Sequence, residues 1–182
     1  MNLNILIRKL FLTVIFLGLI NSCKKTDLNT ESSAFSSTLF TLLESDLTGI
    51  DFLNEVKNQK NFNIFKYRNF YNGGGVAIGD INNDGLADIY FTGNMVANKL
   101  YLNKGNLSFE DISDSAGIEV NKPWSTGVVM VDINQDGLLD IYVSNAGNLK
   151  GNNHDNDLYI NNGDLTFTEK AAEYNLAKTG FS

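Results

Sequence analysis

From Gly75 to Thr168 the chain alternates short apolar runs with clusters of Asn, Asp and Gly. That alternation predicts strands. The first group of runs is Gly75–Gly79, Ala87–Thr92, Lys99–Asn103 and Leu107–Ile112. The second is Gly127–Val131, Leu139–Ser144, Asp157–Asn161 and Leu165–Thr168. Asn103-Lys104-Gly105-Asn106 and Asn161-Asn162-Gly163-Asp164 read as hairpin turns, because Asn and Gly tolerate positive φ. Only the short stretch Glu169–Leu176 carries a helical period, which argues against a helical domain. Upstream, Gly49–Leu53 predicts a first strand, and Ile64–Tyr71 is an aromatic-rich lead-in that ends in Asn72-Gly73-Gly74-Gly75.

The two groups are copies of one unit. GVAIGDINNDGLADIYFTGN from Gly75 aligns with GVVMVDINQDGLLDIYVSNA from Gly127, and NKLYLNKGNLSFED from Asn98 with NDLYINNGDLTFTE from Asn156. The second copy carries an insertion within Ser144–Asp155. Four short antiparallel strands in a repeat of this length make a propeller blade. The expected fold is all-β, a partial propeller with one blade over residues 75–122 and another over 123–178. Residues 179–182 fall where a third repeat would open, so the chain reads as the N-terminal part of a longer protein.

Between the first two strands of each copy lies D-x-N-x-D-G-x-x-D. The residues are Asp80, Asn82, Asp84, Gly85 and Asp88, then Asp132, Asn134, Asp136, Gly137 and Asp140. Oxygen donors at the first, third, fifth and ninth positions can converge on one centre, and the carbonyls of Leu86 and Leu138 can complete the shell. Hard oxygen donors suit Ca²⁺ better than zinc or copper. An EF-hand would need Glu where Phe91 and Val143 stand and a helix after the loop, whereas DIYF and DIYV follow; a dockerin also needs such helices.

The segment from Gly79, GDINNDGLADI, resembles the FG-GAP repeat of integrin-type β-propellers. Together with the N-x-L-Y-x-N-x-G segments it resembles the bacterial VCBS/FG-GAP repeat lipoproteins, whose longer members carry an ASPIC/UnbV-type domain. The resemblance covers about Asn69 to Ser182. It implies loops that hold Ca²⁺ and stiffen the blade, through Asp80, Asn82, Asp84, Leu86 and Asp88, and through Asp132, Asn134, Asp136, Leu138 and Asp140.

The N-terminus adds an address. Arg8 and Lys9 precede an uncharged run, Leu10–Ile20, too short to span a bilayer and suited to a signal peptide. It ends in Ile20-Asn21-Ser22-Cys23, which resembles a lipoprotein lipobox, and Cys23 is the sole cysteine. Residues 1–22 are therefore read as a leader, Cys23 as the lipidated residue and residues 23–48 as a polar tether. The expected location is the cell envelope, lipid-anchored at the outer membrane.

With 14 Lys+Arg against 21 Asp+Glu and a net charge of -7, the chain lacks the positive footprint that nucleic acid requires. One Cys and one His exclude CxxC and multi-His metal sites. Gly73-Gly74-Gly75 lacks the Lys-Ser/Thr and helix of a phosphate loop. His154 has no nucleophile motif beside it and reads as a loop residue. Trp124 reads as inter-blade packing rather than an exposed anchor. The expected role is binding of an extracellular protein or glycan without catalysis; the alternatives are the scaffold of a larger hydrolase or a spacer array. Ligand contacts are expected at the end opposite the Asp loops, on Asn148, Lys150, Asn152, Asn153, His154 and the Lys122–Ser125 link.

Overall fold

The computed structural model describes residues 39–118, 124–146 and 155–177. The leader, Cys23, the tether up to residue 38, the opening of the third repeat and most of the insertion, His154 included, lie outside the described residues. Among the described residues no helix is long and apolar enough to cross a membrane.

Two four-stranded antiparallel sheets carry the fold, each in plain chain order. The first contains β1 (Val76–Gly79), β2 (Asp88–Phe91), β3 (Lys99–Asn103) and β4 (Phe109–Asp111). The second contains β5 (Ser125–Val131), β6 (Asp140–Asn145), β7 (Asp157–Asn161) and β8 (Phe167–Glu169). These are the expected blades, and the all-β reading holds. The outer strands β4 and β8 begin later than the apolar runs suggest. Asn106, Leu107 and Leu165 take positive φ of 56°, 60° and 67°, so each leucine still belongs to its turn. Strand β5 begins earlier than expected, because Ser125 pairs with Asn145 beyond a bulge that separates it from Val128.

The expected strand at Gly49–Leu53 is not formed. A single helical turn, α1 (Ser45–Thr48), ends at Gly49, which adopts φ 76°, and an irregular segment follows. Phe52 and Asp51 of that run lie against a sheet face instead of pairing, and Leu53 is exposed. Phe52 stacks on Phe91 with ring centroids 5.0 Å apart, and the Tyr101 hydroxyl donates to Asp51 at 2.8 Å. The helical period at Glu169–Leu176 becomes a turn closed by Tyr174 N–H to Lys170 and Leu176 N–H to Ala171.

Alternation within the strands decides what each face buries. The face of blade 1 that bears Ala77, Tyr90, Leu100 and Leu102 packs on the face of blade 2 that bears Ile141, Val143, Tyr159 and Phe167. The turn after β4 adds Ala116 and Ile118, and Ala116 C=O accepts from Phe167 N–H. Each such large apolar side chain contributes roughly 1.5–3 kcal/mol on burial. A second cluster joins Phe62, Tyr67 and Phe70 of the lead-in to Trp124, with Met95 and Ala146 from the β2–β3 and β6–β7 connections.

Candidate functional site

The two Asp loops adopt one hydrogen-bond pattern. In the first, Asp80 accepts from Asp84 N–H at 3.1 Å and Gly85 N–H at 2.8 Å. Asn82 Oδ1 accepts from Asp84 N–H, its Nδ2 donates to Asp84 Oδ2, and Asp84 Oδ1 accepts from Leu86 N–H. In the second, Asp132 accepts from Asp136 and Gly137 N–H, and Asn134 and Asp136 repeat the remaining bonds. Asn83 and Gln135 sit at φ 58° and 63°, followed by Gly85 and Gly137 at 85° and 87°. The glycines reach this left-handed backbone without the steric cost that an L side chain meets there.

Asp88 and Asp140 behave differently from the other loop acids: both are fully buried. Asp88 Oδ2 accepts from Ile81 N–H at 2.9 Å and Oδ1 from Asn103 N–H at 2.8 Å. Asp140 takes Ile133 N–H at 3.0 Å and Asn161 N–H at 2.8 Å. Each carboxylate thus pins the start of its loop to the end of the third strand of its blade. Burial pushes the Asp88 carboxyl up, the N–H groups of Asn103 and Ile81 pull it back, and the charges of Asp84 and Asp80 push it up again. The loop therefore carries mutual carboxylate repulsion that a cation would relieve.

Eight of the ten expected ligands lie in the two loops and the other two, Asp88 and Asp140, open β2 and β6; the carboxylates are turned onto backbone N–H groups. Among the described residues no three acidic, His or Cys side chains gather into a cluster that could hold a metal ion. The donor chemistry still fits a hard cation. Every donor is oxygen, each carboxylate has lone pairs beyond those already engaged, and Asp84 and Asp136 lie exposed.

Asn103 and Asn161 were not singled out from sequence, although both close the recurring L-Y-x-N segment. Asn103 Nδ2 donates to Ala87 C=O at 2.8 Å. Asn161 Nδ2 donates to Leu139 C=O and also, across the blade interface, to Ile81 C=O at 2.8 Å. A further bond across that interface, Asn83 Nδ2 to Gly137 C=O at 3.0 Å, links one Asp loop to the other.

The opposite end is more enclosed than expected. Trp124 and Ser125, placed by the sequence reading in a ligand-contacting link, are 1% and 0% exposed. They cannot offer a contact surface: the lead-in folds over Trp124, and Ser125 is bonded to Gly93, Asn98 and Asn145 of the blades. Phe62, Tyr67 and Phe70 ring Trp124 at centroid distances of 4.8, 5.1 and 5.4 Å. Trp124 is packing, as expected: it joins a cluster with Met95 of blade 1 and Ala146 of blade 2, and the rings that surround it come from the lead-in. Beneath it Asn94 donates to Gly73 and Ser125 C=O and exchanges two bonds with Asn54. Lys122 and the insertion residues Asn148 to His154 lie outside the described residues.

Residues 80–143, from the first Asp loop through most of β6, match the model of the FG-GAP-like repeat. The chain is also similar to cartilage acidic protein 1. It is 38% identical to the Xenopus tropicalis protein over 78 residues, which is 42% of this chain and 12% of the relative. It is 36% identical to the Mus musculus protein over 73 residues, covering 40% and 11%, and 36% identical to the Homo sapiens protein over 76 residues, covering 41% and 12%. The chain thus spans about one eighth of the length of these relatives.

Proposed function

We propose that this chain is a calcium-stiffened, propeller-type binding module of a cell-envelope lipoprotein, which contacts an extracellular protein or glycan and carries out no catalysis itself. The observation that carries the calcium reading is the recurrence, in register in two blades, of one oxygen-rich loop with one hydrogen-bond pattern. The FG-GAP-like repeat supports the binding role. Asp80, Asn82, Asp84, the Leu86 carbonyl and Asp88 would hold the first ion. Asp132, Asn134, Asp136, the Leu138 carbonyl and Asp140 would hold the second. Bound calcium supplies positive charge that cancels the repulsion among the loop acids.

Extracellular sites of this kind bind at roughly 10⁻⁴–10⁻³ M. At ten times the dissociation constant one site adds about 1.4 kcal/mol, and two add about 3 kcal/mol, from RT ln(1 + [L]/Kd). Thermal melts in chelator and in millimolar calcium should differ accordingly, with magnesium a poor substitute because it demands tighter octahedral geometry. Asp84→Ala should remove the first loop's share and leave the second loop binding. Coincident melts, with no heat of binding by calorimetry, would reduce both loops to plain turns.

The membrane address rests on Cys23. Metabolic labelling with a clickable fatty acid should mark the expressed chain and fail on Cys23→Ser. A wild-type chain that takes up no label, and whose membrane partition equals that of the variant, would remove the lipoprotein reading while leaving the calcium reading untouched.

A further inference from the structure

Two tyrosines in the core between the blades lack a hydrogen bond. Tyr90 on β2 and Tyr159 on β7 are 0% and 1% exposed, and both belong to the cluster formed by the facing sheets. Among the described residues, their hydroxyls are the buried side-chain polar atoms that have no hydrogen-bond partner. A hydroxyl shut away from solvent and left unmet destabilises a fold, and native cores seldom contain one.

The repeat shows how the same two hydroxyls are met elsewhere. Tyr90 corresponds to Tyr142, whose oxygen accepts from Asn156 Nδ2 at 2.8 Å and whose hydroxyl donates to Leu176 C=O at 3.4 Å. Tyr159 corresponds to Tyr101, which donates to Asp51 at 2.8 Å. The difference at Tyr90 is a diverted asparagine. Asn98 is the equivalent of Asn156, but its Nδ2 donates to Ser125 Oγ at 3.1 Å and its Oδ1 accepts from Gly93 N–H at 2.8 Å. Ser125 then donates to Asn145 at 2.7 Å, and Asn145 to the buried Asp157 at 2.8 Å. That row of side chains ties blade 1 to blade 2, and it takes the amide that Tyr90 would otherwise use.

The two hydroxyls share one electrostatic neighbourhood with the end of that row. Burial pushes the Tyr90 phenol up, the Asn98 amide pulls it back, and the Asp157 charge pushes it up again. Burial also pushes the Tyr159 phenol up, and the charges of Asp157, Tyr90 and Glu169 add to it. Both phenols therefore keep their protons, and each offers one donor and acceptor lone pairs. Asp157 stands two residues before Tyr159 in β7, so strand alternation puts both on one sheet face. The same core is otherwise built from apolar side chains such as Leu100, Ile141 and Val143.

We propose that the Tyr90 and Tyr159 hydroxyls form a binding site for one buried water molecule between the blades, with the Asp157 carboxylate as its third partner. A buried water typically makes about three hydrogen bonds, to polar groups that would otherwise go unmet. Water suits this set of groups because it can accept from both phenols and still donate to a carboxylate. A divalent cation would find one carboxylate and two neutral phenols, which is too little negative charge. The partners come from both blades, so the water adds directional bonds to a contact made there mainly by apolar side chains.

The test uses the full chain, with tyrosine-labelled NMR and denaturant melts as readouts. In the wild type, the ring protons of Tyr90 and Tyr159 should cross-relax with a water held far longer than surface water. Tyr90→Phe and Tyr159→Phe should each raise the unfolding equilibrium constant by roughly threefold to thirtyfold, since each leaves the water a partner short. The double variant should cost less than the product of the two single effects, because the water can then leave with no hydroxyl stranded. Single variants as stable as the wild type, or more stable, would mean that the hydroxyls are unmet, and would overturn the proposal. So would coupled variants without a water signal, which is the result of a direct bond between the two phenols. Single effects that simply multiply in the double variant would overturn it as well, because the hydroxyls would then share no ligand.

Discussion

Asp88→Ala is expected to destabilise the fold by about 2–6 kcal/mol in chelator, and by the first ion's share in addition when calcium is present. The carboxylate is buried and accepts the N–H groups of Ile81 and Asn103. Removing it strands two buried donors, each worth about 1–3 kcal/mol when left unmet. For a domain of this size the loss corresponds to a melting temperature lowered by roughly 5–20 °C. Asp140→Ala should behave alike, through Ile133 and Asn161. Asp84→Ala is the contrast, since its partner Leu86 N–H lies in an exposed loop and water can replace the bond. Without calcium that variant should lose less than about 1 kcal/mol, as surface substitutions usually do. Were Asp88→Ala to melt with the wild type in chelator, Asp88 would be a ligand only, and the staple it forms would carry no weight.

Trp124→Ala should cost about 3–5 kcal/mol, in the range for emptying a large aromatic site in a core. Trp124 is 1% exposed and touches three rings of the lead-in, two of them edge-on, an arrangement that favours the ring quadrupoles. It holds φ 71°, a backbone region that bulky residues seldom enter, so the surrounding contacts must outweigh that strain. Trp124 is the sole tryptophan, which makes its fluorescence a local probe. Phe62→Ala should shift its emission to the red as water enters the cluster, while the blades remain folded. An unchanged melt for Trp124→Ala would mean that the lead-in is an ornament on two self-sufficient blades.

The blades were legible because their physics is local. Period-two patterning, Asn-Gly turns and self-similarity fix strand, turn and partner within one repeat, and the observed strand order is plain chain order. Strand ends were less legible, since Leu107 and Leu165 look like strand residues and take left-handed turn geometry that context imposes. The loop acids were read as one set of ligands, yet Asp88 and Asp140 divide from the rest by burial. A sign of this was available. Asp88 opens β2 in phase with Tyr90, and Asp140 opens β6 in phase with Tyr142, so each begins a sheet face. The lead-in was least legible. Its aromatic content was plain, but nothing local says that Phe52 covers Phe91, that Asn54 reaches Asn94 or that Phe62 meets Trp124.

That lead-in sets a timetable for the nascent chain. Each sheet pairs only neighbours in sequence, so it can close soon after its last strand leaves the ribosome, without the entropy cost of a long loop. The rings of Phe62, Tyr67 and Phe70 are synthesised before blade 1 but reach their partner only when Trp124, at the threshold of blade 2, emerges. The bond from Asn161 to Ile81 waits longer still, across 80 residues. For that interval an aromatic segment at the front of the chain stands open to solvent while the sheet behind it is already formed. The vulnerable species in biogenesis is thus a half-built molecule with a finished first blade and an unclosed front, the stage at which a chaperone would matter most.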